Sequence, residues 1–331
     1  MKRALAWSLM VLTATASPSP VLAYLKLGTE SNGRVVDVSW HQQPIRYFIT
    51  EKDGPGVSAQ DLRAAVGRAT ASWQNVPSAA VRFEFQGTTS ALPGNSDDRT
   101  TIGFLDRPDL DRVLAATSFM IDSTNGTIVE ADIFFNEHFN WSVAPQGEPG
   151  RVDLESVALH ELGHLLGLSH SALGETERTA SGGRRVLASG AVMFPIAMTA
   201  GAVADRVLQP DDIAGISDLY PAAGQLANAG AVTGRVTKNG QGIIGAHVVA
   251  FNPETGALVG NFSLNAAGEF VIASLTPGPY ILRAEPLDDA DVESFFSPPV
   301  ELDFRVAYAP RLVVAPRGGS SAPVEIRVLP K

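Results

Sequence analysis

Three of the six histidines in this chain fall in one short run, His160-Glu161-Leu162-Gly163-His164-Leu165-Leu166-Gly167-Leu168-Ser169-His170. On a helix, His160 and His164 stand one turn apart on a single face and can offer imidazole nitrogens to the same ion. Zinc suits such a pair, because it is a d¹⁰ ion that accepts tetrahedral geometry and binds histidine nitrogen at about 2.0–2.1 Å. Glu161 sits about 100° round the helix from His160, beside the ion and within reach of a water on it. Gly167 follows a turn after His164. Lacking a Cβ, it can take positive φ, end the helix and swing His170 back as a third ligand. Three protein ligands leave the fourth position to water, the pattern of a catalytic rather than a closed structural site. The chemistry these residue types support is metal-assisted hydrolysis with Glu161 as general base. A bare pentapeptide of two histidines and one glutamate is common by chance; the glycine and the third histidine make the pattern specific.

Such a cluster needs a scaffold. The motif itself predicts a helix over 153–168, with Asp153 as N-cap. An earlier helix over 59–75 is predicted by Ser58 as N-cap and by Leu62, Ala65, Val66, Ala69 and Trp73 at helical spacing. Pro77 stops it. Strands are expected at 44–49, 81–85, 101–105, 115–121 and 127–135, the last two joined by a turn containing Asn-Gly. A third helix, Pro210–Leu219, has proline in its first turn. Helices thus alternate with a small mixed sheet up to Pro221, an α+β domain over residues 24–221. Residues 222–231 are rich in Ala, Gly and Asn and read as a linker. Beyond them no helix is expected. Strand-like runs at 232–237, 246–252, 257–264, 269–272, 280–284 and 324–329, with turn residues between them, predict an all-β antiparallel sandwich over 232–331.

Composition narrows the function. The chain has 331 residues, enough for about two domains, and 45% hydrophobic residues, which excludes disorder throughout. Its net charge of −10 argues against nucleic acid as the main partner. It contains no cysteine, so disulfides, thiolate zinc sites and cysteine nucleophiles are excluded. No Gly-x-Ser-x-Gly elbow occurs, which disfavours a serine hydrolase. Lys2 and Arg3 precede an apolar run over 4–12, and Val21-Leu22-Ala23 has the form of a cleavage site. Residues 1–23 therefore read as a signal peptide, and the protein as secreted, either extracellular or periplasmic. The apolar run is too short to span a bilayer, which takes about 20 residues. Loss of Lys2 and Arg3 would take the charge from −10 to −12.

With these residues in place, the motif resembles that of the metzincin metalloendopeptidases, and the run through Ser171 is most similar to their matrixin branch. The likeness covers residues 39–221 and implies a zincin-like α+β fold with one catalytic Zn²⁺ held by His160, His164 and His170. Val192-Met193-Phe194-Pro195 is similar to the family's Met-turn, which implies Met193 as a floor beneath the imidazoles; Met198 competes for that place. The acidic pair Asp211 and Asp212 opens the segment that resembles the family's last helix. The resemblance implies hydrogen bonds from that pair to the Met-turn or to a mature N-terminus, while simple charge complementation of the helix is the alternative. Ala115, Ala116, Thr117 and Ser118 align with the edge strand that holds substrate. Ala116 and Phe134 stand where histidines of a structural zinc would be and cannot ligate. A calcium ion has only weak support, from Asp132 and Asn136.

Residues 171–192 are longer than the family needs and read as a solvated loop, a wall of the pocket behind the scissile bond, or a self-cleavage site. The C-terminal region resembles a carboxypeptidase regulatory-like, transthyretin-like sandwich, a module that binds protein or carbohydrate or only stabilises. His247 is expected in a strand there, with His41 and His138 as surface or core residues. The expected function is a secreted zinc endopeptidase acting on protein substrates. The alternative is an exported binding or surface protein whose zinc-loaded domain no longer cleaves, against which the intact Glu161 argues.

Overall fold

A reciprocal capping box starts the first helix: Ser58 Oγ accepts from Asp61 N at 3.1 Å while the Asp61 carboxylate accepts from Ser58 N at 2.9 Å. From that cap α1, Ala59–Gln74, buries Leu62, Ala65, Val66, Ala69, Thr70 and Trp73 along one stripe. In α2, Leu154–Leu165, Asp153 caps the helix by accepting from Ser156 N at 2.9 Å. These elements belong to a computed structural model that describes residues 4–6, 26–31, 33–180, 183–288, 292–296 and 299–331. The Trp73 indole N–H donates to Leu159 O at 3.0 Å, pinning α1 to α2 across a buried seam. α3 is Pro210–Leu219, as its proline and acidic first turn predict.

Both long helices share a core with a mixed sheet. Its spatial order is Phe83–Thr89, Ile45–Thr50, Thr100–Leu105, Thr127–Asn136, Ala115–Asp122. The first four run parallel, and Ala115–Asp122 runs antiparallel to Thr127–Asn136, as the Asn-Gly turn between them requires. Ile45, Ile49, Ile102, Phe104, Ile133 and Phe135 face the helices. Of the expected leader only Ala4–Ala6 are described, paired antiparallel with Phe119–Ile121; the remainder lies outside the described residues. No described helix is long and apolar enough to cross a membrane.

Beyond Pro221 the expected linker contains one helical turn, Gln225–Asn228, and the first strand, Gly230–Lys238, starts two residues early. Two five-stranded sheets follow. Val232, Val236, Phe270, Ile272 and Ile326 from one, with Val248, Ala250, Tyr280 and Leu282 from the other, fill a single core. The expectation of wholly antiparallel pairing is corrected at Val324–Val328, which lies parallel to Gly230–Lys238. Alternation announces a strand but not its direction; the chain visits the second sheet at Val313–Ala315 before returning to the first. Residues 171–192 are not an open loop. They form a hairpin, Gly174–Thr179 against Gly183–Ser189, whose Val186 is buried in a cluster with Phe194, Phe262 and Phe295.

The C-terminal end of α2 is closed from outside the helix. Trp40 Nε1–H donates to Leu165 O at 2.8 Å, and the Tyr220 hydroxyl donates to Leu166 O at 2.6 Å while accepting from Trp40 N at 2.9 Å. These side chains satisfy carbonyls that no intrahelical N–H can reach. Tyr220→Phe keeps the ring and removes both bonds. It should lower unfolding free energy by about 2 kcal/mol, the cost of orphaning buried backbone groups, measured by urea denaturation.

Candidate metal centre

α2 ends in the geometry its glycine allows. Gly167 N donates to His164 O at 2.7 Å and Leu168 N to Gly163 O at 3.0 Å, the paired bonds of a Schellman motif, with Gly167 at φ +101°. A Cβ on Gly167 would meet Val38 O at 2.1 Å, so φ and space both require glycine. The N-terminal segment holds this turn, through Leu27 N to Gly167 O at 2.8 Å and through a buried Lys26 between Asp37 (2.7 Å) and Asp218 (2.9 Å). Beyond the turn His170 comes back over the helix.

His160, His164 and His170 are brought together, their ligand atoms all within 4.8 Å of one another. Each ring is anchored by its other nitrogen to a backbone carbonyl: His160 Nδ1 to Val192 O at 2.7 Å, His164 Nδ1 to Leu168 O at 2.9 Å, His170 Nδ1 to Ser294 O at 3.2 Å. A carbonyl can only accept, so each Nδ1 carries the proton and each Nε2 is left with its lone pair. Burial lowers the pKa of all three, His170 to about 3, with neighbouring imidazoles adding to the effect at His164 and His170. Neutral imidazoles are the ligating form. His164 Nε2 and His170 Nε2 lie 3.2 Å apart. Two lone pairs at that distance repel unless a cation joins them, and bonds of about 2.05 Å in a tetrahedron put ligand nitrogens about 3.3 Å apart. The donor set fits zinc.

Glu161 is buried beside the triad, its Oε2 accepting from Thr117 Oγ1 at 2.7 Å. Burial pushes its carboxyl up to about 7, and the Thr117 hydroxyl pulls against that shift. Of the four strand residues expected to meet substrate, Thr117 thus turns its hydroxyl inward to Glu161, and Ala115 is buried as well; Ala116 and Ser118 are half-buried. Sequence spacing could not foresee the Thr117 contact, because it joins residues 44 positions apart.

Met193 lies under the helix. Its Sδ would sit 2.3 Å from a Cβ on Gly163, which explains the glycine between Leu162 and His164. Met198 is instead half-buried in the apolar cluster with Phe194. Asp212 fixes the turn, accepting from Val192 N at 2.9 Å, Met193 N at 3.1 Å and Gln209 N at 2.8 Å. Asp211 has different partners from those the resemblance implied: it accepts from Ser171 Oγ at 2.6 Å and from Gly260 N, in the C-terminal sheets, at 2.8 Å. Burial raises both acids, Asp211 to about 7 and Asp212 to about 6. Asp132 accepts from Gly94 N and Thr101 N, and Asn136 bonds the backbone of 107–113, so both residues weighed for calcium tie loops to the sheet. His247 begins the strand His247–Phe251 and is buried against Glu285 at 3.0 Å; His41 bonds Thr127, and His138 stacks edge-on to Phe139.

A ligand bound only by the folded state stabilises it by about 2.7 kcal/mol at a hundred times its dissociation constant. Zinc restored to chelator-treated protein should therefore raise the thermal midpoint by about 5–10 °C, measured by calorimetry, and His170→Ala should abolish the zinc-dependent shift.

The family model described as Matrixin matches residues 39–221. Metalloendoproteinase 2-MMP of Arabidopsis thaliana is 31% identical over 174 residues, 49% of this chain and 38% of that protein. Interstitial collagenase of Oryctolagus cuniculus is 29% identical over 183 residues, 55% of this chain and 32% of its own length. Metalloendoproteinase 5-MMP of Arabidopsis thaliana is 45% identical over 71 residues, 21% of this chain and 14% of that protein. The chain spans less than half the length of each of these relatives. With a matched stretch that begins just before the first core strand and ends just after α3, and that carries the whole histidine cluster, the chain belongs to the matrixin family.

Proposed function

We propose that the protein is a secreted zinc-dependent endopeptidase that hydrolyses internal peptide bonds of protein substrates. The observation that carries this reading is the convergence of three half-buried, Nδ1-anchored imidazoles beside the buried Glu161 carboxylate. Matrixins are zinc-dependent, and two of the relatives are named metalloendoproteinases. His160, His164 and His170 would hold the ion. When bound, zinc polarises the substrate carbonyl and acidifies its water towards about pH 7.

The protein residues do the rest. Glu161 takes a proton from the attacking water and returns it to the departing amine, a role suited to a carboxyl raised by burial. The nearby cation draws that carboxyl back towards its ionised form. Thr117, bonded to Glu161 Oε2, holds the base in one orientation. In the strand Ala115–Asp122 the second half pairs with Ala4–Ala6, while residues 115–118 lie outside that pairing and offer main-chain groups to an extended peptide. Met193 and Asp212 hold the floor under His160, since Val192 both accepts from its ring and donates to Asp212. The two C-terminal sheets are read as a carboxypeptidase regulatory-like sandwich, and residues 1–23 as the export signal.

Glu161→Ala tests the reading directly. Chelator-sensitive cleavage of a peptide library should fall by at least about a hundredfold while bound zinc, by elemental analysis, stays at the wild-type level. A zinc-loaded wild type that cleaves neither the library nor unfolded protein would favour the binding-protein alternative. Thr117→Val, nearly isosteric, should retain zinc and lose about tenfold in kcat/KM, the cost of about 1.4 kcal/mol of transition-state positioning.

A further inference from the structure

The third histidine is not positioned by its own domain alone. Its Nδ1 donates to Ser294 O, in the Val292–Ser294 turn that leads out of the C-terminal sheets, and its ring meets Phe295 with centroids 6.1 Å apart. By contrast His160 and His164 take their carbonyls from Val192 and Leu168, both within the matrixin region. A second tie reaches the next residue. Ser171 Oγ donates to Asp211, whose other oxygen accepts from Gly260 N in the strand Leu258–Phe262. Phe295 is itself wedged against Phe262, with centroids 5.5 Å apart, and Phe262 stacks on the buried His247 at 5.1 Å. Leu287, Phe262 and Phe295 from the C-terminal region share one apolar cluster with Ala172, Val186 and Phe194 around the site.

We propose that the C-terminal β region is a built-in positioning element of the metal centre, with the Ser294 carbonyl and the Phe295 ring setting the orientation of His170. The inference rests on the zinc reading above. His170 lies after the helix ends, on chain that no helical hydrogen bonds hold, so its ring needs an external acceptor to choose its tautomer and direction. An outer-sphere acceptor of this kind typically changes metal affinity by 10- to 100-fold. The neighbouring Phe296 supplies a control: it packs edge-on against Phe262 at 5.0 Å and makes no ring contact with His170 among the described residues.

The test is zinc affinity of the full chain by competition with a chromophoric chelator, together with the visible spectrum of the cobalt-substituted protein. Phe295→Ala should weaken zinc binding by about 10- to 100-fold and change the cobalt absorption band. Phe296→Ala, an equal apolar deletion in the same segment, should stay within about threefold and leave the band as in wild type. Equal weakening in both variants, or none in either, would overturn the proposal, the first because it signals general loosening of the contact between regions. His170→Ala separates the two levels of inference. If it loses zinc affinity while Phe295→Ala does not, positioning by the C-terminal region fails and the metal centre stands; if His170→Ala binds zinc like wild type, the metal reading itself fails.

Discussion

Three lone pairs converging on one half-buried point are the constraint around which the rest is arranged. The arrangement is unfavourable without a cation, since the rings lie with centroids 4.7–5.4 Å apart and two of the Nε2 atoms are 3.2 Å from each other. It persists because each Nδ1 is committed elsewhere, to Val192, Leu168 and Ser294. Those carbonyls belong to three separate pieces of chain: the Met-turn, the turn after Gly167, and the C-terminal region. The fold therefore stores the geometry of the centre in backbone positions rather than in the histidines themselves.

Supporting interactions form a short hierarchy around that point. Asp212 organises the turn with two accepted N–H bonds, from Val192 and Met193, and a third from Gln209 at the start of α3; Met193 then fills the space that Gly163 leaves empty. Trp40 and Tyr220 close the end of α2, and Lys26 ties the N-terminal segment to α3 through Asp218. Lys26 is a buried cation: burial works to lower its pKa, but the flanking Asp218 and Asp37 carboxylates outweigh that and leave it raised, so it stays charged. Each of these groups removes a freedom that α2 or its following turn would otherwise have.

The division into two regions is less complete than the change in composition after Pro221 implies. Ala214 of α3 is buried in the C-terminal core, and Asp211, one turn earlier, accepts from Gly260. Where the family resemblance led to the Met-turn or a mature N-terminus as the partner of the acidic pair, Asp212 bonds Val192 and Met193 while Asp211 accepts from a backbone N–H of the second region. The hairpin over 174–189 adds to the same seam, with Val186 inside and Arg184 donating to Asp288 O.

What the sequence determined by itself was local. Helical spacing in 59–74 and 154–165, capping at Ser58 and Asp153, and the i, i+4 pair His160 and His164 with Gly167 behind it depend on neighbours within a turn or two, so they were readable directly. The hydrophobic alternation gave most of the strands of both regions, but not Val313–Ala315, the parallel return of Val324–Val328 or the hairpin in 171–192, because alternation carries no information on direction and the hairpin has weak apolar patterning. Thr117 on Glu161, Asp211 on Gly260, and Ser294 with Phe295 on His170 join positions 44, 49 and 124 apart. Such contacts are decided by how whole layers pack, and only the tertiary structure could settle them.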